Sequence, residues 1–544
     1  MKLRLAILFL LFWFGALLQL TAANVSANLI SEGWKHRIYL VYPPEKLKAD
    51  EHPTEGPRAT KVELSAAQGE TEPFLLVLRP EVPLREVEVR LSAFTGPDGT
   101  VIPAQKLPAR HLGYIYVDEP SGTRIAQKMP FETGTGLFPD PLLSGLGAVR
   151  PAHNLQFWVA VNVPRGISAG LYQGEAIVSF RKEGWMPPAL EVPVHIPGRP
   201  LYEDFAAHRQ TPEPILPAPE LRVLAGPELS VDLSGWEKEA AYVLDEMKLP
   251  QVFLPVWGSE RGLMQGVYFL WHFPAVLRQR WPAFPATGLP GALVCDEEGA
   301  LTADFKTLFA SYLKAVNAVV ERRGWAGRVL VSTMDEPYTR HVAGEGRERD
   351  LPKNNYAVIR SLVGLIRESA PLLKTFCTAN PVPELEGQID QWCLRNLEAA
   401  GSGKFPEPAG GGVLTFCDNY RTFIDYPMVA PRTLGWLCWK TGTRGWLTFE
   451  TMGELEKAWQ EPAFVYPQFK GGTVWGMGQL FYPDPAGKGL VPSVRWEMMR
   501  KGAEDYEYLW LLEQRLDELS KTKQDSILTR EARAFLEGAA EGVA

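Results

Sequence analysis

The sequence lacks most of the features that mark nucleic-acid-binding, nucleotide-binding and metal-dependent proteins. Its 544 residues carry 56 Lys and Arg against 64 Asp and Glu, so the formal net charge is −8. A chain of this charge is a poor candidate for binding nucleic acid or an anionic membrane. The eight His are scattered and form no H-E-x-x-H motif, no G-x-x-x-x-G-K-S/T motif occurs, and no G-x-G-x-x-G opens a helix after a strand. We therefore expect no metal, no organic cofactor and no nucleic-acid partner.

Cysteine is also scarce. The five cysteines are Cys295, Cys377, Cys393, Cys417 and Cys438. Their number is odd and none forms a C-x-x-C pair, so at least one is free and the protein is not built on a disulfide framework. We expect buried thiols and at most one incidental bridge.

Only one long apolar run stands out, and it lies at the N-terminus. Lys2 and Arg4 precede an uncharged run from Leu5 to Leu18, which is shorter than the roughly 18 residues of a membrane span. Small residues follow and offer cleavage sites after Ala23 or Ala27. The pattern predicts a cleaved signal peptide at residues 1–27 and a secreted or periplasmic bacterial protein without a membrane span after cleavage. An uncleaved anchor is the alternative.

Tryptophan, proline and glycine are plentiful, with 17 Trp, 46 Pro and 49 Gly. Proline and glycine indicate many turns. The indole ring stacks on the apolar face of a sugar, so the tryptophan excess weakly indicates sugar binding, and packing in the core is the alternative for each Trp.

Residues 28–200 have the pattern of an all-β domain. Short runs with strand character are separated by turn signals, at Lys61–Ser65, Phe74–Leu78, Val87–Leu91 and Phe157–Val163. Even spacing of such strands predicts an N-terminal β-sandwich.

Strands and helices alternate from residue 201 to residue 520. The predicted strands are Gln251–Pro255, Arg328–Thr333, Leu373–Thr378, Gly412–Phe416 and Arg444–Phe449, and the predicted helices include Phe305–Glu321, Asn355–Glu368 and Ser493–Leu519. About 310 residues of this alternation predict a (β/α)8 TIM barrel, with an open doubly wound sheet as the alternative. Residues 521–544 remain as a C-terminal tail.

Ser168 lies in a G-x-S-x-G pattern, which is typical of esterases. A nucleophile elbow needs a strand before the serine and a helix after it, whereas Gly166–Gly170 is predicted to be a turn between two strands. We therefore do not assign catalysis to Ser168.

The most informative stretch is Val329–Tyr338, in which a predicted buried strand runs directly into Asp335, Glu336 and Pro337. The carboxyl ends of strands hold the active sites of barrel enzymes. Because Pro337 favours a turn at this point, both carboxylates can reach one pocket at the strand end. Two adjacent acids suit substrate-assisted hydrolysis of a 2-acetamido sugar, in which one carboxyl protonates the leaving oxygen and the other orients the acetamido group. Acids that merely begin a helix are the structural alternative.

Asp335-Glu336-Pro337 resembles the catalytic motif of glycoside hydrolase family 123. Other stretches are similar to the same family: Gly69–Phe74, Phe157–Gly174, Arg432–Trp436, Gly445–Phe449, Pro492–Glu497 and Lys501–Leu509. The resemblance implies a retaining β-N-acetylgalactosaminidase-like enzyme with a β-sandwich before a TIM barrel. By that analogy Glu336 is the general acid/base and Asp335 holds the acetamido N–H. Many relatives have Trp where this chain has Phe449.

Further residues are predicted to contact substrate from their position in the predicted strands and loops. They are Asn380, Trp392, Asp418, Tyr420, Trp446, Phe449 and Tyr482. Arg495, Glu497, Glu504, Asp505 and Glu507 instead lie at helical spacing, which is typical of a solvated or salt-bridged face.

Two other classes of function remain open at this point. One is a non-catalytic carbohydrate-binding or scaffold protein on the same fold, because a fold does not determine activity. The other is a glycosidase for a 2-hydroxy sugar, which requires a second carboxylate such as Asp418 or Glu450 opposite Glu336. In every case the expected partner is a glycan or glycoconjugate.

Overall fold

The structure is a computed structural model. It describes the following residues: 26–33, 36–42, 46–59, 61–104, 109–122, 133–182, 199–212, 215, 217, 219–223, 229–254, 295–296, 298–335, 337, 355–395, 404–418, 420–453, 455–465, 473–521, 526–539, 541 and 543. The apolar run of the predicted signal peptide and the side chains of Asp335 and Glu336 lie outside this description.

Fourteen strands precede residue 235 in the described part of the chain. They are β1 (Ser26–Gly33), β2 (His36–Val41), β3 (Thr54–Glu55), β4 (Thr71–Pro80), β5 (Leu84–Leu91), β6 (Phe94–Thr95), β7 (Val101–Ile102), β8 (Arg110–Val117), β9 (Gly136–Leu143), β10 (Gly147–Val149), β11 (Leu155–Asn162), β12 (Ala176–Lys182), β13 (Glu220–Val223) and β14 (Leu229–Asp232). The predicted strand at residues 61–65 is irregular, although Val62 and Leu64 pack against the neighbouring core.

The later strands are β15 (Val252–Phe253), β16 (Val329–Asp335), β17 (Lys374–Thr378), β18 (Gln391–Leu394), β19 (Val413–Cys417), β20 (Trp446–Leu447), β21 (Ala463–Val465), β22 (Thr473–Trp475), β23 (Phe481–Pro483) and β24 (Leu490–Pro492). The helices are α1 (Arg199–Ala207), α2 (Ser234–Ala241), α3 (Ala303–Arg323), α4 (Asn355–Ser369), α5 (Val429–Thr441), α6 (Val494–Lys521) and α7 (Ile527–Gly538). Among the helices that the structure describes, none is both long and apolar enough to cross a membrane.

The chain divides into two compact units. The first contains residues 1–197, 419–436 and 450–544, and the second contains residues 198–418 and 437–449. This division rests on compactness, which groups residues 419–436 and 450–544 with the N-terminal part. The predicted domain limits at 28–200 and 201–520 stay predictions.

The first unit is organised around a seven-stranded sheet of order β3-β1-β2-β4-β11-β8-β9 and a three-stranded sheet of order β10-β5-β12. Alternate residues of β4 serve two cores because successive side chains of a strand point to opposite faces. Phe74 and Leu76 pack with Val87 and Val89 of the three-stranded sheet. Leu75, on the other face, packs in a cluster that includes Val494 and Met498 of α6. Burial on both faces explains why Phe74–Leu78 is continuously apolar.

Two helices of this unit meet at a pair of glycines. A Cβ added to Gly435 of α5 would lie 1.8 Å from the carbonyl oxygen of Gly502 in α6. Only residues without a side chain permit this approach, so any larger residue at either position would force the helices apart.

Charged residues in the first part of α6 are buried and paired rather than solvated. Lys501 Nζ donates to Glu70 Oε1 at 2.7 Å and to Glu72 Oε2 at 2.6 Å, and it lies 3.1 Å from Glu504. Burial alone would lower the pKa of Lys501, but the surrounding carboxylates outweigh burial and raise it, so the ammonium stays charged. Arg432 forms a two-bond pair with Asp505. The prediction of a salt-bridged face is confirmed for Glu504 and Asp505.

A second buried pair lies at the start of α6. Arg495 and Asp140 are both 0 % exposed, with Nε–Oδ1 and Nη2–Oδ2 distances of 2.8 and 2.7 Å. Arg495 Nη1 also donates to the carbonyls of Thr422 and Gly476, each at 2.6 Å. Through these hydrogen bonds the guanidinium of Arg495 links β9 and two loops to the start of α6.

His111 of β8 is expected to make the stability of the protein depend on pH between about 4 and 6.5. Burial lowers the pKa of His111 to about 4, from an ordinary value of 6.5. As pH falls, the unfolded chain therefore binds a proton at His111 before the native state does. The stability that neutral His111 contributes to the native state is complete above pH 6.5 and is lost as pH falls towards 4. Melting temperatures measured across this range should fall less steeply for His111→Phe than for the wild type. Parallel curves would contradict the prediction.

The second unit contains a parallel sheet of order β15-β16-β17-β18-β19-β20. Helix α3 begins after Thr302, whose side chain accepts the N–H of Phe305, and it ends at Gly324, where a φ of 69° favours glycine. Helix α4 has a buried face that includes Val358, Leu362 and Ile366. The predicted strands and helices of this region agree with the observed elements within a few residues.

The predicted TIM barrel is wrong. In the described part of the chain the parallel sheet has six strands and does not close, and both of its edge strands are two residues long. The following strands pair antiparallel with each other, β21 with β22 and β23 with β24. The alternation of β and α patterns therefore predicted the individual strands and helices. It did not predict which strands pair, and the late strands pair with each other instead of extending the parallel sheet. In the described residues, the fold comprises a seven-stranded sheet that is antiparallel except for the β1–β3 pair, a three-stranded antiparallel sheet that shares a core with it, and a six-stranded parallel sheet that does not close.

Two smaller predictions concern the cysteines and the C-terminus. All five cysteines are among the described residues and none forms a disulfide; four are buried and Cys417 is partly buried, so the expected buried thiols are present without a bridge. The C-terminal tail contains helix α7, whose Ala532 packs against Leu512 and Leu516 of α6.

Candidate active site

The acid pair follows the second strand of the parallel sheet. Strand β16 ends at Asp335, and a register shift between Ser332 and Met334 marks a bulge shortly before its end. Bulges of this kind change the direction in which the following side chains point. Glu336 lies outside the described residues. Beyond it, the carbonyl of buried Pro337 accepts a hydrogen bond from the side chain of Asn355, the first residue of α4.

The carboxyl ends of β16 to β20 share one edge of the sheet, and this edge collects most of the predicted site residues of the second unit. Asn380 lies two residues beyond β17, and its Oδ1 accepts the backbone N–H of Arg395 at 2.9 Å, which links the ends of β17 and β18. Asp418 directly follows β19 and is buried, and its N–H donates to the Leu447 carbonyl at 3.2 Å. Phe449 follows β20 by two residues and is partly buried.

The two tryptophans of the predicted site differ in burial. Trp392 is 2 % exposed, and it is paired in register with Cys377, whereas Asp335 is paired with the next residue, Thr378. Successive residues of a strand face opposite sides of the sheet, so Trp392 and Thr378 occupy opposite faces. Trp446 is partly buried, and its indole N–H has no hydrogen-bond partner among the described residues.

Tyr420 and Tyr482 belong to the first unit, whereas the other predicted substrate-binding residues belong to the second. Tyr420 packs edge-on against Phe423, with ring centroids 6.4 Å apart. Tyr482 is fully buried, and its hydroxyl donates to Asp140 at 2.5 Å. Burial, reinforced by the charge of Asp140, raises the pKa of Tyr482 well above its ordinary value, so the phenol remains a donor. These contacts give Tyr482 a structural role beside Arg495.

Several motifs quoted for the family resemblance contact one another inside the first unit. Glu70 of the 69–74 stretch accepts hydrogen bonds from Lys501 and Tyr508 of the 501–509 stretch. Trp436 of the 432–436 stretch donates to Asp505 at 2.8 Å. The resemblance is therefore carried largely by residues that hold this unit together, and the acid pair is a separate feature.

Sequence reasoning missed Thr378, although it ends a strand that was predicted. The feature of the sequence that could have identified Thr378 was its position at the carboxyl end of the predicted strand that follows the acid pair. Among the described residues, no group of three or more His, Cys, Asp or Glu is arranged to hold a metal ion.

Comparison with known proteins gives the class of the molecule. Residues 47–179 match the glycoside hydrolase 123 N-terminal domain, and residues 413–512 match the glycoside hydrolase 123 catalytic domain. No curated protein matches the chain. A similar solved structure is that of a family 123 glycoside hydrolase from Clostridium perfringens, whose description concerns the hydrolysis of glycolipid glycans. The two chains share 12% identity with a TM-score of 0.54, over 88% of this chain and 91% of the other.

The class that these matches define is a glycoside hydrolase. More particularly, the chain is a glycoside hydrolase family 123-like protein, as the family motifs indicated. Asp335 and Glu336 lie between the two matched stretches, so their roles belong to the proposal that follows.

Proposed function

We propose that the protein hydrolyses a terminal β-linked N-acetylhexosamine, with N-acetylgalactosamine as the preferred sugar, and that it retains the configuration at the anomeric carbon. The observation that carries the proposal is that β16 ends at Asp335, the first acid of the Asp335-Glu336-Pro337 motif, at the carboxyl edge of the parallel sheet. Ligands of open α/β sheets bind outside the carboxyl ends of their strands.

In this mechanism Glu336 protonates the leaving glycosidic oxygen while the acetamido oxygen of the substrate attacks the anomeric carbon. Asp335 accepts the acetamido N–H and polarises the group for attack. The resulting oxazolinium-type intermediate is opened by a water molecule that gives its proton to Glu336, so the acid returns to its starting form and the configuration is retained. This route uses no metal or cofactor.

The spacing of strands supports substrate assistance over the ordinary retaining route with Asp418 as the second carboxylate. Retaining enzymes of the ordinary kind place their two carboxyl groups about 5 Å apart. Asp418 follows β19, which is three strands from β16, or about 14 Å along the sheet edge at the usual strand spacing. A neighbouring acid on the same strand end, by contrast, suits a role in orienting the acetamido group.

An assay with aryl glycosides tests the proposed function. The aryl N-acetyl-β-galactosaminide should be hydrolysed, with the β-anomer of the sugar as first product in an NMR time course, and the corresponding 2-hydroxy β-galactoside should be a poor substrate. Binding without hydrolysis of any β-N-acetylhexosaminide would instead favour a carbohydrate-binding protein. Preference for the 2-hydroxy glycoside would favour a two-carboxylate mechanism.

We also propose that the protein is secreted or periplasmic, on the basis of the charged and apolar N-terminal pattern of residues 1–27. N-terminal sequencing of the processed protein tests this, since cleavage would leave Asn24 or Asn28 as the first residue.

A further inference from the structure

Thr378 lies next to Asp335, the first acid of the pair, in the parallel sheet. It is the last residue of β17, the strand next to β16, and it is paired in register with Asp335. Neighbouring strands are about 4.8 Å apart. A sugar held at Asp335 and Glu336 therefore lies beside the end of β17.

The Thr378 side chain is buried, and its hydroxyl has no hydrogen-bond partner in the described part of the chain. Its exposed fraction is 3 %, and among the residues that the structure describes no atom pairs with its Oγ1. A buried hydroxyl of this kind is costly, and native proteins keep few of them. An unsatisfied hydroxyl at the edge where ligand binds is explained if the ligand supplies its partner.

Other threonines of the same sheet are satisfied within the protein. Thr333 Oγ1 donates to the Phe376 carbonyl, Thr375 Oγ1 to the Gln388 carbonyl and Thr415 Oγ1 to the Trp392 carbonyl, each at 2.9 Å. Thr375 lies on the same strand as Thr378 and is equally buried. Among the described threonines that lie within the strands of this sheet, the unsatisfied hydroxyl is that of Thr378; Thr448, which directly follows β20 and is only partly buried, also has an Oγ1 without a partner among the described residues.

The face of the sheet that carries Thr378 is defined by its neighbours. Residues two apart on a strand share a face, so Thr378 lies on the side of Phe376, which packs with Leu330 and Cys393. This apolar layer lies beneath Thr378 on the same face. The hydroxyl is therefore the polar group that this face of β17 presents at the carboxyl edge.

We infer that Thr378 is a substrate-binding residue whose hydroxyl forms a hydrogen bond with a polar group of the N-acetylhexosamine bound beside Asp335. The inference rests on the proposed function and adds a contact from β17 to it. The contact helps to select and position the sugar, and the proton transfer remains with Glu336.

The test compares Thr378→Val, which removes the hydroxyl at nearly constant shape, with Thr378→Ser, which retains it. For Thr378→Val we expect kcat/KM on the aryl N-acetyl-β-galactosaminide to fall about tenfold, as for loss of one buried hydrogen bond, with an unchanged or higher melting temperature. Thr378→Ser should recover most of the loss. Thr375→Val is the matched control: it should lower the melting temperature, because Asp390 and Gln388 lose a donor, and leave kcat/KM unchanged.

The outcomes separate this inference from the proposed function. Wild-type hydrolysis with an equal kcat/KM for Thr378→Val would overturn the inference alone, as would a fall in melting temperature without a change in kcat/KM. If the wild type does not hydrolyse the glycoside, the proposed function fails, and calorimetric titration with N-acetylgalactosamine becomes the measurement. Weaker binding to Thr378→Val than to the wild type would then support the inference, and equal binding or no binding to either would overturn it.

Discussion

Replacement of Glu336 by glutamine is expected to lower turnover of the aryl N-acetyl-β-galactosaminide by about 10²–10⁴-fold. Glutamine has nearly the shape of glutamic acid but cannot donate the proton that the leaving oxygen requires. The loss should therefore appear in kcat rather than in the melting temperature. The effect should also be larger for poor leaving groups, which depend most on protonation.

Asp335→Asn extends this test to the other acid. An amide in place of the carboxylate cannot accept the acetamido N–H in the same way, so turnover of acetamido sugars should fall by a similar factor. Glu368→Gln is the matched control, because Glu368 is exposed on α4, outside the sheet edge, and should keep wild-type activity. Equal rates for the wild type and Glu336→Gln would refute the assignment.

Replacement of Arg495 by methionine is expected to lower the free energy of unfolding by about 3–5 kcal/mol, the usual cost of leaving one charge of a buried pair without its partner. Asp140 would remain fully buried, and the carbonyls of Thr422 and Gly476 would lose their donor. A loss of this size is a large share of the total stability of a typical domain. Urea unfolding at neutral pH measures it.

The control for Arg495→Met is Arg515→Met on the same helix. Arg515 is 61 % exposed and pairs with Glu518 at the surface, so its loss should cost at most about 1 kcal/mol. If Arg495→Met does not fold, Tyr482→Phe provides a milder change, because it removes only the hydroxyl that donates to Asp140; about 1–3 kcal/mol is expected. Losses no larger than that of Arg515→Met in both variants would contradict a stabilising role for the cluster.

Local patterns predicted much of the secondary structure. The predicted helix Phe305–Glu321 lies within Ala303–Arg323, because its apolar spacing matches the helical period and a Thr and a Gly bound it. The irregular segment at residues 61–65 shows the limit of such patterns. Its alternation correctly indicated that Val62 and Leu64 face the core, but alternation does not provide a neighbouring strand with which to pair.

The barrel prediction failed for a related reason. The periodicity of apolar residues in the sequence predicts how many strands there are. A closed barrel also requires that each strand pair with two neighbouring strands. Hydrogen-bond partners far apart in the chain decide this, and the late strands β21 to β24 pair in antiparallel twos. Trp392, a predicted site residue, shows the same limit, since it lies on the strand next to that of Thr378 but on the opposite face of the sheet.

By itself, the sequence indicated the resemblance to glycoside hydrolase family 123, which the matched domains support, and the strand that ends at Asp335, because those are properties of contiguous residues. Only the tertiary structure decided that the charges near the start of α6 form buried ion pairs, that Tyr482 supports Arg495, and that the Thr378 hydroxyl next to Asp335 has no partner among the described residues. Each of these depends on which distant residues exclude water from a side chain and which of them offer it a partner. The scarcity of His and Cys motifs directed attention to carboxylates, and the structure adds that most of the buried carboxylates described here are paired with Lys or Arg and stabilise the fold.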